Sequence, residues 1–138
     1  MPMNLKLDHV NLRTANVEQL VAWYGRVLGL KPGPRPGFSF PGAWLTAGHG
    51  EAAAVHVVGV DSQPGPYDPE QQLEHFAFSA SGLADFLAHL RAEKIAYYCR
   101  VLPDTGVRQV NCHDCDGNHL HIDFPAAEEA DLSDYGGH

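Results

Sequence analysis

Four histidines stand where they could do chemistry together. His9 and His75 sit in two similar alternating segments, Leu7-Asp8-His9-Val10-Asn11-Leu12 and Leu73-Glu74-His75-Phe76-Ala77-Phe78, 66 residues apart. His56 follows His9 by 47 residues, and His121 follows His75 by 46. Neutral imidazole is the commonest metal ligand and suits several divalent ions. A repeated unit that offers a pair of histidines twice can assemble a symmetric site. The expectation is a metal ion held by His9, His56, His75 and His121. A lone strand histidine is usually structural or exposed, but four in duplicated order are harder to explain that way. Because a catalytic ion keeps a position open for water or substrate, His56 is the first candidate for a spectator. An unligated His56 or His121 would shuttle protons, since imidazole titrates near neutral pH.

A rival cluster is Cys112-His113-Asp114-Cys115, with His119 close by. A single Cys-x-x-Cys is a weak zinc signal, because a structural site wants four ligands, usually from two such hooks. Buried or incidental cysteine is the simpler reading. His113 falls on the same strand face as the histidines and reads as a pocket residue. Asn11, His119 and Asp123 share the histidine-bearing face and join it as substrate contacts. Arg100 and Arg108, with Tyr97 and Tyr98, are further candidates. An arginine in a histidine-lined cup would favour an anionic substrate.

The elements that position these groups are legible from periodicity. Residues 5–12 alternate as a strand, with His9 and Asn11 on one face and Val10 and Leu12 on the other. Asn16 is a plausible N-cap, and Val17, Leu20, Val21, Tyr24, Val27 and Leu28 recur at helical spacing until Gly29 and Pro32 stop the helix. Lys31–Gly42 reads as a loop carrying Phe38 and Phe40, which either lid a pocket or pack. Trp44-Leu45 and Ala52–Val60 read as strands, and Trp23, Tyr24 and Trp44 as core. A Pro-rich linker, residues 61–72, precedes strand 73–78. A helix over 83–94 buries Leu83, Phe86, Leu87 and Leu90. Strands then run over 95–101, 107–113 and 119–124, with Asp114-Cys115-Asp116-Gly117-Asn118 as a turn. His119, His121 and Asp123 face one side of the last strand; Leu120, Ile122 and Phe124 face the other.

Aligning the two first histidines also aligns the helix stripes, Val17, Leu20, Val21 and Tyr24 against Leu83, Phe86, Leu87 and Leu90. The fold class expected is α+β: a repeated strand–helix–strand unit, residues 5–60 and 73–124, in a single domain over 1–124. Helices pack on one side of each sheet and the histidines gather on the opposite, concave side. The acidic tail, 125–138, reads as solvated and partly disordered.

Composition narrows the partners. The chain has 138 residues, a formal net charge of −8 and only 9 Lys and Arg, which argues against nucleic acid and anionic membranes. No apolar run reaches the length of a membrane span, and Met1-Pro2-Met3-Asn4 lacks the regions of a signal peptide. The expectation is a cytoplasmic protein that binds a small molecule. Three cysteines do not suggest a disulfide framework. Some of the nine histidines, such as His49, His89 and His138, read as surface residues.

The chain resembles the vicinal oxygen chelate superfamily, which includes glyoxalase I, extradiol dioxygenases, fosfomycin-resistance enzymes and bleomycin-resistance proteins. The motifs that carry the resemblance are Leu7-Asp8-His9-Val10-Asn11-Leu12, Trp23-Tyr24-Gly25-Arg26-Val27-Leu28-Gly29-Leu30, Leu73-Glu74-His75-Phe76 and Asp114-Cys115-Asp116-Gly117-Asn118-His119-Leu120-His121-Ile122. It spans about residues 5–124. The resemblance implies two βαβββ modules forming a cupped mixed sheet, helices on the convex face, around a divalent metal (Zn, Fe, Ni, Co or Mn), and a homodimer. His9 and His75 fall on the family's first-strand ligands. His121 falls where a metal-binding glutamate is usual, and His56 on the matching position of the first module. Cys115 replaces the usual proline of the turn. The implied activity is metal-dependent chemistry on a small oxygenated molecule. Glyoxalase-like lyase or isomerase chemistry ranks first, extradiol dioxygenation second and thiol transfer to an antibiotic third. A non-catalytic antibiotic binder, as in bleomycin resistance, is the reading from another class.

Overall fold

Each half of the chain runs strand, helix and three strands. The computed structural model describes residues 3–48 and 51–138 and divides into two units, Met1–Gly65 and Pro66–His138. His49, expected at the surface, lies outside the described residues, as do Met1, Pro2 and Gly50. The first unit holds β1 (Val10–Thr14), α1 (Val17–Leu28), β2 (Lys31–Pro32), β3 (Gly42–Thr46) and β4 (Val55–Gly59). The second holds β5 (Phe76–Ser79), α2 (Leu83–Ala92), β6 (Tyr98–Val101), β7 (Arg108–His113) and β8 (His119–Phe124). The four-stranded sheets have orders β1-β4-β3-β2 and β5-β8-β7-β6. In each, the first strand runs parallel to the last and the other pairs are antiparallel. This is the expected pair of α+β βαβββ modules.

Periodicity explains both helices. In α1 the side chains of Leu20, Trp23, Tyr24 and Val27 are buried, one stripe at helical spacing. Gly29 ends the helix in the left-handed region, with φ 71°, and its N–H reaches Gly25 O at 3.1 Å. In α2 the buried stripe is Leu83, Leu87 and Leu90, and Phe86 rests on Phe124 with ring centroids 5.5 Å apart. Fully burying such a side chain stabilises by roughly 1.5–3 kcal/mol. The opposing core comes from the alternating strands: Leu45, Val55 and Val57 in the first unit, Val110, Leu120, Ile122 and Phe124 in the second.

Several expectations need correction. The first strand begins at Val10, not Leu5. The parallel ladder opens with Val10 opposite Val55, and among the described residues no ladder reaches 5–9, so Leu5 and Leu7 stay exposed. An alternating pattern makes a strand only where a neighbouring backbone takes its hydrogen bonds. For the same reason β5 begins at Phe76, opposite Leu120. Trp44 is not core: its neighbours Ala43 and Leu45 are buried, and the pleat turns Trp44 to the other face, opposite His56. Asn16 makes no side-chain cap bond; Thr14 Oγ1 instead accepts from the Asn16 N–H at 2.9 Å. Helix α2 stops at Ala92, and Lys94 takes φ 58°.

The C-terminal tail is not a free solvated end. The Glu128 carboxylate accepts from the N–H groups of Gly82 and Leu83, at 2.9 and 2.7 Å, where α2 begins. Tyr135 pairs with Tyr97 in an antiparallel bridge, the two rings 5.7 Å apart. No described helix is long and apolar enough to cross a membrane.

Candidate metal centre

In the second unit the ladder lays out one face of the sheet as a grid. Tyr98 on β6 pairs with Asn111 on β7, and Asn111 with His121 on β8. Arg100 pairs with Gln109, and Gln109 with Asp123; His113 pairs with His119. All of these follow the period-2 rule and share the face opposite the core. They line a cleft of about 360 Å³ together with Glu74, His75 and Tyr67, apart from Asp123, which holds His121 from behind.

Carboxylates orient the histidines. His75 Nδ1 lies 2.8 Å from Glu74 Oε1, and His121 Nδ1 lies 2.7 Å from Asp123 Oδ1. A carboxylate accepts, so each Nδ1 carries the proton and each Nε2 presents its lone pair. This is how metal-binding histidines are usually held. The two rings stand 4.7 Å apart and tilted by 42°. Burial lowers the His121 pKa below the usual imidazole value, against the nearby Asp123 charge, and so favours the neutral form a metal needs.

Glu74 is the hub. It also accepts from His119 Nδ1 and from the Tyr67 hydroxyl. Hydrogen bonds from Tyr67, His119 and His75 draw its pKa down to about 2, and the same carboxylate pushes the Tyr67 phenol up to about 12. Glu74, His75 and His119 place one ligand atom each within 4.8 Å of one another, a possible metal-binding group. The second nitrogen of His119 meets Asn111 Oδ1 at 2.8 Å. Both its nitrogens are therefore engaged, and His119 is better placed to brace Glu74 than to coordinate. Imidazole and carboxylate together suit Zn, Fe, Ni, Co or Mn, so the donors fit a divalent ion.

The first unit holds its pair differently. His9 Nδ1 lies 2.6 Å from Asp8 Oδ2, the same acid-before-histidine arrangement as Glu74 and His75. His56, however, is sandwiched: its ring stacks on His9 at 3.7 Å and 12°, and on Trp44 at 4.0 Å and 11°. Imidazole binds a metal in the ring plane at about 2.0–2.1 Å. Two parallel rings so stacked cannot both aim at one ion. Burial, then the His9 charge, depresses the His56 pKa.

The remaining candidates separate cleanly. Arg100 and His113 line the cleft. Arg108 does not: its Nε donates to Glu128 O at 2.8 Å and its Nη1 to Gly106 O at 2.6 Å, so it ties the tail to a turn rather than meeting a substrate. Tyr97 is buried and accepts from Arg91 Nη1 at 2.8 Å. Asn11 is exposed beside His56 in the ladder. Phe38 and Phe40 stack on one another, with Arg35 over both rings. Cys112 is buried, which pushes its thiol up to about 12, and the Cys99 thiol rises to about 11; neither is a reactive thiolate.

Sequence reasoning named Asp123, though as a substrate contact rather than a partner of His121, and missed Asp8 and Glu74. An acidic residue precedes the first histidine in both repeats, Asp8 and Glu74, and that coincidence was the available signal. Asn111 and Gln109 follow from the ladder register alone. Tyr67 lay hidden in a segment read as linker.

The fold is shared with solved structures. A glyoxylase/bleomycin resistance protein/dioxygenase domain from Frankia sp. EAN1pec has TM-score 0.70 and 18% identity, covering 92% of this chain and 96% of that one. A glyoxalase family protein from Enterococcus faecalis has TM-score 0.65 and 24% identity, covering 86% and 96%. A lactoylglutathione lyase from Agrobacterium tumefaciens has TM-score 0.62 and 18% identity, covering 90% and 96%. Comparison with curated proteins gives no match. The family model matches residues 6–122, which takes in both modules and all four histidines, and the chain belongs to the Glyoxalase/Bleomycin resistance protein/Dioxygenase superfamily.

Proposed function

We propose that the protein is a metal-dependent enzyme acting on a small molecule with adjacent oxygens, with lyase or isomerase chemistry of the glyoxalase kind. The observation that carries this is the second-module pair His75 and His121, each fixed at Nδ1 by a carboxylate and each presenting Nε2. A divalent ion held there would act as a Lewis acid on the substrate's chelated oxygens. The protein's own groups do the rest. Glu74 holds the tautomer of His75, and His119 and Tyr67 hold Glu74 in turn. His113 lies on the same face and makes no side-chain hydrogen bond among the described residues. Partial desolvation at the cleft wall lowers its pKa below the usual imidazole value and so favours the neutral form, which makes it the base placed to take a proton from bound substrate.

Metal analysis of protein purified without an affinity tag tests the reading. The expected result is one divalent ion per chain, bound or restorable, and lost in His75→Ala while the circular dichroism spectrum stays native. Protein that holds no ion and takes up none on addition of Zn, Fe, Ni, Co or Mn would leave only the binding-protein reading.

A further inference from the structure

We infer that the wall of the cleft formed by Arg100, Gln109, Asn111 and Tyr98 binds a carboxylate on the substrate, beside the end that the histidines receive. Most arginines of the second unit are already committed. Arg91 donates to Tyr97, and Arg108 to the carbonyls of Gly106 and Glu128. Arg100 lines the cleft, and among the described residues it has no ion pair or hydrogen bond. In a chain of net charge −8, an unpaired guanidinium inside a cleft is a local site for an anion.

Its neighbours match that use. The ladder sets Gln109 beside Arg100 and Asn111 beside Tyr98, so two amides and a phenol line the same cleft as the guanidinium and add donors to it. Asn111 supplies the second sign. It is only 3% exposed, its Oδ1 is taken by His119, and its Nδ2 has no partner. Buried amide donors are rarely left so. An oxygen of a ligand seated on the cleft floor supplies the missing acceptor. Guanidinium meets a carboxylate through two parallel N–H groups, which fixes orientation as well as charge.

The spacing selects a compact ligand. Two strand spacings and one two-residue step separate the backbone of Arg100 from that of His121, roughly 11–12 Å. The arginine side chain closes part of that distance, leaving room for about the width of one six-membered ring. A cleft of about 360 Å³ is at the small end of ligand sites. The substrate class is therefore a small acid carrying vicinal oxygens at the end away from its carboxylate. This rests on the metal reading for the vicinal oxygens only.

Three probes of one shape separate the two ends: 3,4-dihydroxybenzoate, 3,4-dihydroxybenzamide and catechol, titrated calorimetrically into zinc-supplemented protein. The acid is expected to bind wild type at least tenfold tighter than the amide or catechol. Arg100→Gln, a change on an exposed edge strand, should bring the acid down to the level of the neutral probes, and Arg100→Lys should restore part of the difference. Equal affinity of acid and amide for wild type, no binding of the acid, or an Arg100→Gln protein that still prefers the acid would each overturn the inference. His75→Ala distinguishes the readings. If it leaves all three affinities unchanged and the preference for the acid intact, the carboxylate wall stands and the metal reading falls.

Discussion

The two modules share a topology and differ in what stands next to the last histidine. His56 on β4 and His121 on β8 occupy matching places, each in a strand parallel to the first of its module. Across the antiparallel ladder, His56 meets Trp44 and His121 meets Asn111. Trp44 lays an indole flat on the imidazole and, with His9 on the other side, closes the ring into a stack. Asn111 lies low and turns its amide oxygen to His119, so the ring of His121 keeps an open side toward the cleft. Duplication thus preserves backbone register, while one ladder neighbour decides whether a histidine is packed or available. The carboxylates differ in the same sense. His121 has Asp123 on its own strand, two residues along; the equivalent place after His56 is Val58.

The largest effect should come from exchanging the fate of the two histidines. Removing an outer partner of a metal ligand typically costs about 10–100-fold in metal affinity. His121→Ala removes a proposed ligand and should cost at least the upper end of that range, read by competition with a chromophoric chelator. His56→Ala should leave affinity unchanged. Asp123→Asn should fall between them. Equal losses for His56→Ala and His121→Ala would erase the distinction between the modules.

A second contrast lies at the helix starts. In both modules a residue four positions beyond the last strand returns to the head of the helix. Gln63 Oε1 accepts from the Ala15 N–H at 2.7 Å, just before α1. Glu128 accepts from Gly82 and Leu83 at the head of α2, where its charge also meets the positive end of the helix dipole. Glu128→Ala should destabilise by about 1–2 kcal/mol and Gln63→Ala by about 0.5–1 kcal/mol, measured as shifts in urea midpoint. A larger loss at Gln63 than at Glu128 would show that charge adds nothing there.

This capping shows what the sequence could and could not disclose. The helices, three strands of the first module, all four of the second and the histidine-bearing face were legible because each rests on periodicity within one segment; the two-residue β2, Lys31–Pro32, is too short to show a period and was read as loop. His119 through Phe124 came out as a strand with the right residues on each face. Contacts between residues far apart in the chain were not legible: nothing in the local pattern links Glu128 to Gly82, or Tyr135 to Tyr97. The tail was therefore read as free. Trp44 was misassigned because aromatic size suggested core, whereas the pleat, set by Ala43 and Leu45, turned it outward. The carboxylate partners were visible as letters beside His9 and His75, but only geometry shows Nδ1 engaged and Nε2 presented.

The smallest expected effect concerns acid stability. Burial and the neighbouring His9 lower the His56 pKa in the folded chain below its ordinary value of 6.5. Between the folded value and 6.5 the unfolded chain binds more protons, so the neutral stack contributes stability that is fully present above pH 6.5 and is lost as pH falls through that window. Burial lowers the His121 pKa as well, against the Asp123 charge and hydrogen bond, so its contribution has the same sign. In metal-free protein, with EDTA present, urea midpoints at pH 7.5 and 5 should differ less in His56→Gln than in wild type. His121→Gln should change that difference in the same direction. A pH dependence unaltered by His56→Gln would mean that stacking between His9 and Trp44 does not discriminate between the neutral and protonated rings.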